Sequence, residues 1–260
     1  SIRAKQKNPF FPRSGMEYSH FVFDQSVYVF IIVAMAGFVR GITGFGGAMF
    51  MAPPLSLILS PVVAVIYALA LEAAAAVVMF PSIRRHLEYR TLALLGVPAV
   101  VSIPIGGLLL VNLDSETIRV ALSLTVMLFS LLLIFGLRYS GSPRASTATA
   151  VGALSGLLFG ATSMGGPPVI LYLLSGPAPH WVTRANLVAY ISFTSGLSLL
   201  LPWYLGYIPV SLALDVAIAI PPYFAGIFAG LRIFPLLNDK FFRRFTLIFI
   251  FLVAGFALIV

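Results

Sequence analysis

The residues able to do chemistry in this chain are charges set inside apolar runs and the breaks that lie beside them. Glu72 stands well inside an apolar run. An unpaired carboxylate buried there costs several kcal/mol, so Glu72 either binds and releases a proton or pairs with a cation. Arg40 closes an earlier apolar run with no acid near it in sequence. It reaches an anion or snorkels to the interface. One residue later Gly41-Ile42-Thr43-Gly44-Phe45-Gly46-Gly47 interrupts the run, and Gly160-Ala161-Thr162-Ser163-Met164-Gly165-Gly166 does so again. Unwound backbone at membrane depth is tolerated where protein buries it or where it lines a watery cavity. A helix starting at such a break points unpaired amides and its positive dipole end into it, which suits an anion. Pro167 and Pro168 fit a first helical turn.

The anion-binding set expected on these grounds is Arg40, Thr43, Gly44, Phe45, Gly46, Gly47, Thr162, Ser163, Met164, Gly165, Gly166 and Asn186, with Glu72 as the coupling residue. Thr43, Thr162 and Ser163 bring hydroxyl donors, and Asn186, near Arg184 and Tyr190, brings an amide. The plainer alternatives are hydroxyls bonded back to helix carbonyls and glycines used for close helix packing. A bulky residue at Gly46 or Gly165 is expected to stop function while sparing the fold.

These residues need a membrane bundle to position them. The 260 residues are 60% hydrophobic and 9% charged, with a mean hydropathy of +1.04. Such a composition excludes a soluble catalytic domain. Apolar runs near spanning length favour helices over a barrel. There are no cysteines, which rules out thiolate metal sites and thiol nucleophiles. The net charge of +8 comes from basic residues scattered at helix ends, a pattern of membrane topology rather than of nucleic-acid binding.

In chain order, residues 1–25 form a basic, aromatic interfacial tail without the pattern of a signal peptide. Residues 26–139 form a first transmembrane repeat, 140–146 a linker and 147–260 a second repeat. Each repeat has a broken pair of helices (27–42 and up to 59; 147–161 and 167–175) and three spanning helices (61–83, 90–112, 116–138; 182–201, 210–234, 240–259). The motif Pro104-Ile105-Gly106-Gly107 reads as an interruption in its helix. Gly37, Gly41, Thr43, Gly46 and Gly47 return as Gly156, Gly160, Thr162, Gly165 and Gly166, each 119 residues on (165 − 46), and Gly107 returns as Gly226 at the same offset. That spacing implies internal duplication.

Basic residues collect in cytoplasmic loops. The loop at Arg84, Arg85 and Arg90 is basic while its counterpart, Tyr204 to Pro209, is uncharged. The next loop carries Asp114 and Glu116, whereas its counterpart holds Arg232, Lys240, Arg243 and Arg244. Equivalent loops therefore face opposite sides, which makes the repeats inverted and brings the two tips together inside the bilayer. The alternative is a parallel arrangement of four and four helices. The expected fold is an all-α polytopic membrane protein with two inverted repeats.

His20, His86 and His180 are isolated, and no metalloprotease, nucleophile-elbow or phosphate-loop pattern is present. A secondary transporter fits best, ahead of an anion channel and a membrane-embedded enzyme. No cofactor is called for. Membrane lipid, a coupling ion (proton or sodium) and a second copy of the chain are compatible partners.

Gly44-Phe45-Gly46-Gly47-Ala48, with Pro53 and Leu55, resembles the first motif of the sulfite exporter TauE/SafE family. Ser163-Met164-Gly165-Gly166-Pro167-Pro168, with Leu171-Tyr172-Leu173 and Arg184-Ala185-Asn186, is similar to its second-half variant. The resemblance covers nearly everything after residue 25. It implies a transporter of the bacterial inner membrane that moves sulfite, sulfoacetate or a related organosulfonate. Arg40 has no match in that pattern.

Overall fold

The computed structural model of the protein describes residues 23–135, 144–174, 176, 178–233, 248, 251 and 255. Among them there are ten α-helices and no strand: α1 (Phe23–Thr43), α2 (Gly47–Ile58), α3 (Pro61–Ile83), α4 (Tyr89–Asn112), α5 (Ser115–Ile134), α6 (Ala145–Thr162), α7 (Gly166–Leu173), α8 (His180–Ser198), α9 (Leu200–Tyr204) and α10 (Val210–Ile233). Six helical stretches are long and apolar enough to cross a membrane: Pro61–His86, Tyr89–Asn112, Ser115–Leu132, Ala145–Thr162, Trp181–Tyr204 and Val210–Ile233. Nearly all of the expected interfacial tail, most of the linker and the helix expected over 240–259 lie outside the described residues.

Local chemistry sets the boundaries. Ser60 caps α3 by accepting the Val63 amide at 3.4 Å, with Pro61 at the first position. Asp114 accepts the Thr117 amide at 2.8 Å just before α5. The interruption expected at Pro104 to Gly107 is absent, since α4 runs unbroken through Pro98 and Pro104. Proline removes a helix hydrogen bond without always ending the helix, because neighbours in a membrane bundle hold the kinked backbone.

Those glycines pack helices instead. A Cβ on Gly106 would lie 2.1 Å from the Leu157 carbonyl oxygen, and one on Gly156 would lie 2.3 Å from that of Ala99. Thus α4 meets α6 backbone to backbone. The same contact recurs between α1 and α10, where a Cβ on Gly37 would lie 2.2 Å from Tyr223 O and one on Gly230 2.4 Å from Phe38 O. The two contacts correspond to each other with an offset of 119 on α1 and α6 (156 − 37) and 124 on α4 and α10 (230 − 106). The match of Gly107 with Gly226 is therefore not a structural equivalence. Gly226 packs on Ala34, as Ser102 does on Ala153, whereas Gly107 faces Leu201. A shift of five residues enters between the breaks and these helices, so the coincidence in sequence is misleading.

The helix directions follow from contacts. On α1 and α10, Gly37 meets Tyr223 and Gly41 meets Ile227, so these two run parallel; Gly152 on Leu95 and Gly160 on Ile103 make α6 and α4 parallel too. By contrast α3 and α8 run antiparallel. Gly196 sits against Ala73, while Asn186, near the start of α8, accepts the Glu88 amide beyond the end of α3 at 2.9 Å. Tyr207, between α9 and α10, donates to Val111 O near the far end of α4 at 3.3 Å. The core of the bundle lies where α1, α2, α3 and α8 meet, with Val33, Met51, Leu55, Leu69 and Val188 fully buried.

Candidate functional site at the two helix breaks

The first break turns through Gly44 (φ +77°) and Gly46 (φ +86°), left-handed backbone that costs a side-chain-bearing residue roughly 1–2 kcal/mol. At the second, Ser163 takes the place of Gly44 and holds the same left-handed turn (φ +60°). The two tips face each other across a cavity of about 20 Å³ lined by Phe45, Gly46, Glu72, Ser163, Met164 and Gly166. That volume holds about one water. Any occupant larger than a water needs the tips to part.

Among the described residues Arg40 is the largest fully buried side chain, so it does not snorkel. Its Nε lies 3.2 Å from Glu72 Oε2, its Nη1 donates to Gly44 O at 2.8 Å, and its Nη2 reaches Ser192 Oγ at 3.5 Å. Neither Nε nor Oε2 forms a well-aligned hydrogen bond, although the two charges touch. The other carboxylate oxygen, Oε1, accepts the Ala48 amide at 2.9 Å and the Tyr223 hydroxyl at 3.4 Å. An internal anion thus occupies the start of α2, as its dipole and free amides favour. Room for it comes from Gly47, whose Cβ would fall 2.4 Å from Oε1.

The hydroxyl donors are already committed. Thr43 donates to Val39 O at 2.8 Å and accepts the Phe45 amide at 3.2 Å; Thr162 donates to Leu158 O at 2.8 Å, and Ser163 bonds the carbonyl of Thr162. A hydroxyl has one hydrogen to give, and here it goes to the backbone. The start of α7 is also poorer than its break suggests. Pro167 and Pro168 fit the first turn, but they remove two of the amides an anion would use.

Asn186 is not at the tips. It points across α8 to the Glu88 amide, as its offset of two residues from Arg184 requires on a helix. Arg184 does reach the first break, where its Nη2 donates to Gly41 O at 3.0 Å. At the second break, Tyr190 donates to Ser155 Oγ at 2.9 Å and Ser155 bonds the Gly165 carbonyl. Tyr223, Ser192, Ser155 and the Ala48 amide are partners that the sequence does not reveal. Tyr223 lies 151 residues from Glu72 and Ser192 lies 152 from Arg40, so no local spacing could join them.

A bundle with six helical stretches long and apolar enough to cross a membrane, two broken helices and a buried ion pair defines a multi-pass membrane protein rather than a soluble binding module. The family model of the sulfite exporter TauE/SafE matches residues 29–257, and the chain belongs to that family. It is accordingly a transporter of the bacterial inner membrane. Among curated proteins it is similar to the "Probable sulfite/organosulfonate exporter TauE" of Cupriavidus necator, with 27% identity over 212 residues, covering 78% of this chain and 82% of the relative. No solved structure matches the chain.

Proposed function

We propose that the chain is a secondary transporter of a small sulfur oxyanion, sulfite or an organosulfonate, engaged between the two helix breaks beside Arg40. The observation that carries this reading is the buried Arg40–Glu72 pair, whose carboxylate-bearing residue lines the cavity shared by both tips. A guanidinium fork can pair with two oxygens of an oxyanion at once and is less strongly hydrated than an ammonium, so it suits a dehydrated site. The entering anion competes with the Glu72 carboxylate for Arg40 and the Ala48 amide. Two negative charges cannot share one guanidinium without repulsion, so the carboxylate swings away or takes up a proton. Either event ties substrate binding to a change at the tips.

Proton coupling is favoured over sodium. Carbonyls freed at a helix break are the usual ligands for sodium in transporters of this architecture. Here Gly44 O and Gly41 O are held by Arg40 and Arg184. Replacing sodium by choline should leave transport unchanged. Export is taken as the direction from the name of the Cupriavidus necator relative.

The repeats are read as inverted. Short connections make α3 antiparallel to α4 and α8 antiparallel to α10, and contacts make α3 antiparallel to α8. Together these set α4 against its repeat mate α10, whereas parallel repeats would run α3 and α8 the same way. The closed cavity between the tips favours alternating access over a continuous pore. Counterflow of labelled sulfite and organosulfonates in sealed proteoliposomes tests the function, since exchange across the bilayer requires a transporter.

A further inference from the structure

The Glu72 carboxylate is held from α1, α2 and α10 at once, and its partners differ in kind. Arg40 on α1 faces Oε2, whereas Oε1 accepts the Ala48 amide of α2 and the Tyr223 hydroxyl of α10. Tyr223 is fully buried, and its backbone is pinned against α1, where a Cβ on Gly37 would lie 2.2 Å from the Tyr223 carbonyl oxygen. Tyr223 and Arg40 therefore both stand on the α1–α10 crossing, while Glu72 stands on α3. A Cβ on Gly47 would also lie 3.0 Å from the Tyr223 hydroxyl oxygen, so that glycine leaves room for carboxylate and phenol together.

The second repeat carries an apolar copy of this cluster. Gly166 meets Ile191 as Gly47 meets Glu72, at the offset of 119 (191 − 72), and Gly156 meets the Ala99 carbonyl as Gly37 meets that of Tyr223, at the offset of 124 (223 − 99). With Phe159 at the place of Arg40, the buried trio Arg40, Glu72 and Tyr223 answers to Phe159, Ile191 and Ala99. Close packing alone does not call for a phenol at position 223, since the equivalent crossing is made with alanine. The phenol accompanies the charges.

We propose that Tyr223 is the positioning residue of the coupling carboxylate: it sets the pH at which Glu72 takes up its proton and keeps that group at the start of α2 in both protonation states. The inference rests on the reading of Glu72 as the proton carrier. A phenol donates to a carboxylate and, once that carboxylate is protonated, turns to accept from the new O–H, whereas the Ala48 amide can only donate. At 3.4 Å the Tyr223 bond is long, so it has room to tighten as an entering anion draws Arg40 away. The proton itself comes from solvent when the tips part. Facing the same point are Arg40 from α1 and, one step out, Arg184 from α8, which bonds Gly41 O. Tyr190 of α8 turns to Ser155, and α2 offers an amide without a charge.

The test compares the native chain with Tyr223→Phe, which removes one oxygen and keeps the ring, and with 3-fluorotyrosine in place of Tyr223, a stronger acid of nearly the same shape. Proton-driven transport of labelled sulfite in proteoliposomes is followed against pH, and the titration of sulfite itself is common to all three proteins. Loss of a donor disfavours the charged carboxylate, so the proton concentration for half-maximal driven transport should fall about tenfold in Tyr223→Phe, the scale of one hydrogen bond to a charge. Fluorination strengthens the donor and should move the profile the opposite way. Where Tyr223→Phe does not fold, the fluorinated chain decides alone. Profiles that coincide, or that move the same way in both variants, overturn the proposal and leave the transport reading standing. A second measurement needs no transport. In thermal unfolding in detergent, Tyr223→Phe should lower Tm about twice as much in the native chain as in the Glu72→Gln chain, because a charge-assisted bond is roughly twice as strong as a neutral one. Equal losses in the two backgrounds overturn the proposal. Unequal losses in a native chain that exchanges no sulfite keep Tyr223 as the partner that orients Glu72 and sink the transport reading instead.

Discussion

Arg40 and Glu72 lie 152 and 120 residues respectively from Ser192 in sequence, yet the three meet at one point, with the guanidinium Nε 3.2 Å from the carboxylate Oε2 and both side chains sealed from solvent. Removing one partner leaves the other charge buried alone. Arg40→Ala should therefore lower stability by about 3–5 kcal/mol. Replacing both, as Arg40→Met with Glu72→Met, should recover most of that loss, because an apolar pair of similar volume avoids the desolvation cost. Thermal unfolding of the three proteins in detergent measures it. A double variant as unstable as the single one would mean that the pair is not the interaction that counts.

Glu72→Gln separates the two roles of the carboxylate. The substituted side chain can still accept the Ala48 amide through its carbonyl oxygen but carries no charge to cycle. Proton-driven transport should then fail while exchange of substrate at zero gradient continues. Driven transport that keeps its pH dependence in a stable variant would remove Glu72 from the coupling.

Gly47 and Gly165 should behave differently. An added Cβ at Gly47 meets the end of the flexible Glu72 side chain, so Gly47→Ala should fold and yet lose transport at least tenfold as the carboxylate is pushed off α2. At Gly165 the Cβ would lie 2.1 Å from the Ser155 carbonyl oxygen and as close to the Phe159 ring. The sequence-based expectation that a bulky residue at Gly165 spares the fold therefore meets backbone and ring atoms, and Gly165→Ala should already lower stability by about 1–3 kcal/mol, the range of overpacking, whereas Gly47→Ala should lower it little. Comparing the yield and thermal stability of the two alanine variants checks this contrast.

The matched helix contacts give a paired prediction. Gly37→Ala and Gly156→Ala force a Cβ against Tyr223 O and Ala99 O in equivalent crossings. Each should cost about 1–3 kcal/mol, the range of overpacking, and the two costs should be close to each other. Unequal losses in detergent unfolding would show that the two crossings are not energetic equivalents.

Topology is checked by single cysteines in a chain that has none. With inverted repeats, His86→Cys between α3 and α4 and Leu205→Cys between α9 and α10 label from opposite sides of a sealed vesicle. Labelling of both from one side would contradict inversion.

Much of this was legible in the residues. The breaks show because glycine runs with one offset stand out against an apolar background, and the boundaries of α3 follow from Ser60-Pro61 at one end and Arg84-Arg85 at the other. The pairing of α1 with α10 and of α4 with α6 was not legible, because close packing depends on which backbone each glycine meets. Gly107 and Gly226 share an offset and pack on unrelated partners. At the site, Arg40 and Glu72 were recognisable singly from their apolar surroundings. Ser192 and Tyr223 were not, since each is one polar residue among many and gains meaning only across the bundle. The hydroxyls of Thr43, Thr162 and Ser163 read as donors in the sequence, but each spends its single hydrogen on a backbone carbonyl, a choice that only the fold reveals.

The anion contact at Arg40 is tested most directly by counterflow of labelled sulfite at zero gradient, comparing the native chain with the stable Arg40→Met, Glu72→Met protein in sealed proteoliposomes. Saturable exchange is expected from the native chain and none from the double variant. Equal exchange by both, or none by the native chain, would contradict an oxyanion held by Arg40 between the two breaks.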